Sequence, residues 1–142
     1  MRFRLGRHEY DRTSRLVMAI VNRTPDSFYD KGATWAADAA HERVRQVVAE
    51  GADIIDIGGI KAAPGAEIGV EEEKRRVVDF VARVRGEFPD VVISVDTWRA
   101  EVGRAVCEVG ADLLNDAWGG HDPALAEVAA ELETVKAQDV DR

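Results

Sequence analysis

Glu50-Gly51-Ala52-Asp53-Ile54-Ile55-Asp56 is the stretch from which the fold can be read. Its glycine is the residue that ends a helix in a left-handed turn, and the run that follows is short and apolar. Val109-Gly110-Ala111-Asp112-Leu113-Leu114-Asn115 echoes it. Two helix stops that each feed a buried strand, two units apart, are expected of a barrel built from repeated strand–helix units.

Working outward, short runs rich in valine and isoleucine fall at Leu16–Val21, Asp53–Ile57, Val91–Val95 and Asp112–Asn115. Longer stretches with helical spacing separate them. The first puts Trp35, Ala36, Ala39, Ala40, Val44, Val47 and Val48 on one face and His41, Glu42, Arg45 and Glu50 on the other. A second opens with Glu71, Glu72 and Glu73, where acids suit the positive end of the helix dipole, and turns Val77, Val78, Val81 and Val84 inward. A third runs from about Trp98 to Gly110, and Asp122-Pro123 starts a fourth.

The strand runs are continuous rather than alternating, which implies burial on both faces of a parallel sheet. The expected class is therefore α/β, with parallel β/α units of a TIM barrel. About four of the eight units are expected, since a closed barrel takes about 250 residues and this chain has 142. Residues 1–142 read as one N-terminal portion of such a domain. The tail 132–142 has no apolar run for a fifth strand and reads as polar and frayed.

Composition narrows the function. A net charge of −8 argues against nucleic acid, which needs a basic face. No apolar run is long enough to span a bilayer, and MRFRLGRHEY lacks the apolar core of a secretory signal. The single cysteine, Cys107, reads as a buried small hydrophobe in a reducing cytoplasm. His41 reads as a solvent-face residue. His121 and Trp118 read as a turn residue and a rim cover, and the sequence offers no role for His8.

In a parallel barrel the ligand site lies at the C-terminal ends of the strands. Those positions here hold Asn22-Arg23-Thr24-Pro25-Asp26-Ser27-Phe28, then Asp56-Ile57-Gly58-Gly59, then Ser94-Val95-Asp96-Thr97, then Asn115-Asp116. Each group could alone be a cap or a turn. Gathered on one rim they form a polar set. A carboxylate can take paired N–H groups from an aminopyrimidinone edge, and an asparagine offers one acceptor and one donor. Asp96 and Asn115 therefore suit a nitrogen heterocycle such as a pterin, and Asn22 and Asp26 suit Mg²⁺ beside an anionic tail.

In this order Asn22-x-Thr24-Pro25-Asp26-Ser27-Phe28, Ile55-Asp56-Ile57-Gly58-Gly59 with Pro64-Gly65, Ser94-Val95-Asp96-Thr97 and Asn115-Asp116 resemble the motif series of dihydropteroate synthases. Cobalamin-dependent methyltetrahydrofolate enzymes share the pterin-binding barrel but not the Thr-Pro-Asp-Ser-Phe loop. The resemblance implies folate biosynthesis: p-aminobenzoate joined to a dihydropterin methyl pyrophosphate, with Mg²⁺ stabilising the departing pyrophosphate. By motif position it makes Asn22 and Asp26 catalytic, with Asn22 at the Mg²⁺–pyrophosphate. Asp96, Asn115, Asp56 and Thr24 become substrate-binding residues, with Asp56 at the floor of the site.

The chain departs from the family pattern in its second loop. Where the family reads Gly-Glu-Ser-Thr-Arg-Pro-Gly, Gly59 is followed by Ile60-Lys61-Ala62-Ala63-Pro64-Gly65. A hydroxyl and a guanidinium of the p-aminobenzoate and pyrophosphate side are thus alanines. Arg23 also stands where the family has an apolar residue. The family draws a further aspartate, a lysine and an arginine–histidine pair from later strands. The pattern resembles a divergent actinobacterial-type second copy, N-terminal half only. Three readings follow: an active synthase completed by another half, a non-catalytic pterin- or partner-binding protein, and a truncated product with no activity of its own. A half-barrel exposes sheet edges and an apolar interior, so a homodimer or a pairing of half-barrels is also expected.

Overall fold

A computed structural model describes residues 2–11, 13–22, 30–58, 70–116, 122–132 and 135–138. The chain opens with an antiparallel hairpin, β1 (Arg2–Leu5) and β2 (His8–Asp11). Strand β3 (Met18–Asn22) then begins an alternation of helices and strands. It runs through α1 (Asp30–Ala49), β4 (Ile54–Gly58), α2 (Val70–Glu87), β5 (Val92–Asp96), α3 (Ala100–Glu108), β6 (Leu113–Asp116), α4 (Ala124–Glu131) and β7 (Val135–Gln138). Strands β3 to β7 lie in chain order in one parallel sheet, as consecutive β/α barrel units do.

The two echoed stretches do the same work in the fold. Gly51 and Gly110 have φ of +97° and +122°, which side-chain-bearing residues rarely adopt. The aspartate two positions on then grips the neighbouring strand by both backbone groups. Asp53 donates its amide to the Val17 carbonyl at 2.9 Å and accepts the Val17 amide on Oδ2 at 2.9 Å. Asp112 treats Ile93 alike, at 2.8 and 3.0 Å. Each repeat thus stops a helix, turns the chain and sets the start of a strand against its neighbour.

The core lies between the sheet and the helices. Val21, Ile55, Ile57, Ile93, Val95 and Leu114 are buried with Val44 and Val47 of α1, Val77, Phe80, Val81 and Val84 of α2, and Val102, Val106, Leu125 and Val128 beyond. On the other sheet face, Ile54, Val92 and Leu113 pack with Leu5 of the hairpin. The hairpin thereby covers the apolar face near the strand starts. Beyond it Met18 and Ile20 of the edge strand β3 are 40% and 62% exposed, the apolar exposure expected of an open barrel.

Several expectations need correction. A fifth strand exists: β7 pairs with β6 in the register Leu113↔Val135 to Asp116↔Gln138. Its sequence, Val-Lys-Ala-Gln, carries no apolar run, because an edge strand is held by backbone hydrogen bonds and tolerates polar residues. Leu132, also assigned to the frayed tail, packs against the core. The four expected strands each begin one or two residues later than their apolar runs, and all four end one residue later, so Gly58 and Asp96 belong to the ladder rather than to loops.

His41 is buried at 1% exposure, and Ala39 is exposed instead. Helix α1 is turned towards α2, where His41 Nε2 meets Glu87 and the ring lies beside Phe80 and Phe88. Periodicity cannot show that rotation, since it depends on a neighbouring helix. Cys107 is half-buried rather than buried, packed at the margin of the core.

Candidate functional site

The parallel register assembles the rim. Asn22 pairs with Gly58, Gly58 with Asp96, Asp96 with Asn115, and Asn115 with Ala137. These five residues form one row across the last turn of the sheet before the chain leaves it. Residues in one row of a parallel sheet share a face, and residues two positions earlier share it too. Ile20, Asp56, Ser94 and Leu113 make that earlier row. The face is the one turned away from the core helices, the interior of the barrel.

Gly58 matters in this row because it adds no side chain between Asn22 and Asp96. Beneath it Asp56, 5% exposed, accepts the hydroxyl of fully buried Ser94 on Oδ1 at 2.7 Å. The same oxygen takes the Asn115 amide Nδ2 at 3.4 Å. With one N–H on Asp56, the Asn115 amide keeps a second N–H and its carbonyl oxygen. The half-buried Asp96 carboxylate stands beside it on β5. The row therefore sets a carboxylate beside an amide that carries both a donor and an acceptor.

The next residue locks the rim from outside. The Thr97 amide donates to the Asn115 carbonyl at 3.2 Å, and the Thr97 hydroxyl donates to Glu73 Oε2 on α2 at 2.8 Å. Glu73 also accepts Arg99 Nη1 at 3.2 Å, and the Arg99 guanidinium lies 4.8 Å over the Trp98 ring. Asp122 ties the following unit in, accepting the Ala100 amide on Oδ2 at 2.9 Å and the Ala124 amide on Oδ1 at 3.1 Å. Both helices α3 and α4 thus begin on one carboxylate.

Of the expected site residues, Asp56, Asp96 and Asn115 are brought together. Asn22 stands in the same row at the end of β3, with only its backbone described. Thr24 and Asp26 lie outside the described residues, as do Ala62, Ala63, Trp118 and His121. Among the described residues no three His, Cys, Asp or Glu side chains form a metal cluster. Nor is any helix among them long and apolar enough to cross a membrane. Sequence reading placed Ser94 in the rim group without a role and missed Glu73. Ser94 was legible as the polar residue inside an apolar strand, two before Asp96, whereas Glu73 was hidden among three acids at a helix start.

A cavity of about 620 Å³ lies at the opposite end, under the hairpin, lined among others by Arg4, Arg7, His8 and Arg85. Its basic groups already have partners. Arg7 reaches Asp90 at 2.6 Å, Arg4 the Gly6 carbonyl, His8 the Asp90 carbonyl and Arg85 the Asp112 carboxylate.

Comparison with known proteins shows the family. Residues 18–136 match the family described as pterin binding enzyme. The inactive dihydropteroate synthase 2 of Mycobacterium tuberculosis is 61% identical over 117 residues, covering 82% of this chain and 37% of that relative. The dihydropteroate synthase of Bacillus subtilis is 46% identical over 118 residues, covering 82% and 41%. The crystal structure of 7,8-dihydropteroate synthase from Vibrio fischeri superposes with a TM-score of 0.82 at 36% identity, covering 96% of this chain and 49% of that one. The chain thus spans well under half the length of these curated relatives, and about half of the solved barrel.

Proposed function

The chain belongs to the pterin-binding enzyme family, and from that premise we propose that it binds a dihydropterin at the rim without catalysing dihydropteroate synthesis. The observation that carries the reading is the row Asp96–Asn115 standing over Asp56 and Ser94. A carboxylate beside an asparagine amide that is held from below by buried Asp56 suits the aminopyrimidinone edge of a pterin. Asp56 sets the orientation of Asn115, and Asp96 supplies the charged acceptor.

The absence of synthase activity rests on the second loop. Ala62 and Ala63 stand where active members carry a hydroxyl and a guanidinium, and neither alanine can hold p-aminobenzoate or a pyrophosphate. Lys61 offers a point charge rather than a planar fork. The 61% identity to a relative named as inactive supports the same side. Mg²⁺ belongs to this proposal through Asn22 and Asp26, whose side-chain oxygens are of the kind a hard cation takes; the backbone of Asn22 stands at the end of β3. Thr24 completes the first loop by motif position.

The test is a fluorescence titration with 6-hydroxymethyl-7,8-dihydropterin pyrophosphate and Mg²⁺, alongside an assay for dihydropteroate. Saturable binding that Asp96→Ala abolishes, with no dihydropteroate formed, is the expected result. Binding indifferent to Asp96→Ala would remove the site, and turnover by the chain would remove the non-catalytic reading.

A further inference from the structure

We propose that Glu73 is a positioning residue for the ligand edge, acting on Asp96 and Asn115 through Thr97; the inference rests on the pterin-binding reading of that edge. Glu71, Glu72 and Glu73 all stand in the first turn of α2, where acids suit the helix dipole. Only Glu73 of the three is buried, with its side chain 8% exposed. Burying a carboxylate costs more than a surface ion pair returns, so its inward turn calls for a reason beyond the dipole.

The reason lies in what it holds. Its two oxygens face two donors, the Thr97 hydroxyl at 2.8 Å and Arg99 Nη1 at 3.2 Å. A hydroxyl has one proton. With that proton given to Glu73, the Thr97 oxygen is free to accept the Arg99 amide at 3.3 Å, which fixes the turn between β5 and α3. The Thr97 amide meanwhile donates to the Asn115 carbonyl at 3.2 Å, and Thr97 follows Asp96 directly. One buried carboxylate on a third element thus sets the separation of the two ligand-facing residues on β5 and β6.

The arrangement is selective about chemistry. An amide in place of the carboxylate has one acceptor for two donors, so Glu73→Gln leaves either Thr97 or Arg99 facing an NH₂ group. Thr97→Val keeps the volume of a side chain 3% exposed and removes its hydroxyl, whereas Thr97→Ser keeps the hydroxyl and removes a methyl. A packing role predicts that Ser is worse than Val. A positioning role predicts the reverse.

The experiment is fluorescence titration of the full chain and these variants with 6-hydroxymethyl-7,8-dihydropterin, well below each variant's melting temperature, with Tm measured separately. Glu73→Gln and Thr97→Val are each expected to weaken binding about tenfold, as one unsatisfied buried donor or acceptor would. Thr97→Ser should bind as the parent does. The double variant should lose about the same tenfold, because both changes break one path. Parent-like affinity in Thr97→Val, or a loss in Thr97→Ser larger than in Thr97→Val, overturns the inference even if Tm falls. If the parent chain itself does not bind the pterin, the reading of the edge fails and this inference falls with it.

Discussion

Arg85→Ala should cost this protein about 3 kcal/mol, more than its place near the surface suggests. The Arg85 guanidinium makes six hydrogen bonds: to the carbonyls of Gly110 (3.1 and 2.8 Å), Phe88 (3.2 Å), Pro89 (3.0 Å) and Val91 (2.8 Å), and to Asp112 Oδ2 at 2.5 Å. The Pro89 bond is exposed and its loss is close to neutral, since water replaces it. The others are part-buried, and because water reaches the freed carbonyls once the guanidinium is gone, each contributes only about 1 kcal/mol. The Asp112 pair, with side chains 22% and 17% exposed, contributes more because its charge is only partly solvated. Asp112 keeps the Ile93 amide after the change, which limits the damage.

The assay is urea unfolding followed by circular dichroism. With a slope of about 1.5 kcal/mol/M, typical of a small domain, the midpoint should fall by about 2 M with no change of slope. Arg85→Lys keeps the charge but has only three donors on one nitrogen, and should recover about a third of the loss. A midpoint shift under about 0.5 M for Arg85→Ala would refute the argument that this side chain ties the α2 end to the β6 entry.

Two further predictions test the helix stops and the carboxylate that His41 and Arg45 share. Gly51→Ala and Gly110→Ala both force a side chain into a left-handed φ, but a Cβ at Gly51 meets nothing within 4 Å while one at Gly110 meets Arg85 Cγ at 2.8 Å. Gly51→Ala should therefore cost about 1 kcal/mol and Gly110→Ala about 2–3 kcal/mol, read from urea midpoints; equal losses would contradict the crowding argument. Glu87 is held at about 2, down from an ordinary 4.5, chiefly by the Arg45 guanidinium and then by His41. A lowered folded value stabilises the protein above the unfolded pKa and loses that contribution as pH falls through the folded one. The parent should thus be more stable than Glu87→Gln at neutral pH, with the gap closing between about pH 4.5 and 2. A gap independent of pH would show that the carboxylate charge is not what His41 and Arg45 hold.

The sequence by itself determined the alternation and the rim. Continuous Val and Ile runs favour burial on both faces, and Gly51 and Gly110 could end helices at no steric cost, so four parallel units and the polar set Asp56, Asp96 and Asn115 were legible from pattern alone. Even the repeat carried its own physics, since Asp53 and Asp112 occupy equivalent places in it. What needed the tertiary structure were interactions between elements that are far apart in the chain. Strand β7 was invisible because its partner is the backbone edge of β6, and backbone pairing leaves no hydrophobic signature. His41 looked exposed because a helical wheel shows spacing but not which neighbour the helix turns to. Glu73 looked like one of three acids at a helix start until α2 met the β5–α3 turn. The ligand edge itself depends on register: Asp56 and Asn115 hold equal places in the repeat, yet they meet only because the sheet pairs Asn115 with Asp96, two residues above the row of Asp56. Pattern determines which residues face inward, and only the packed sheet decides which of them touch.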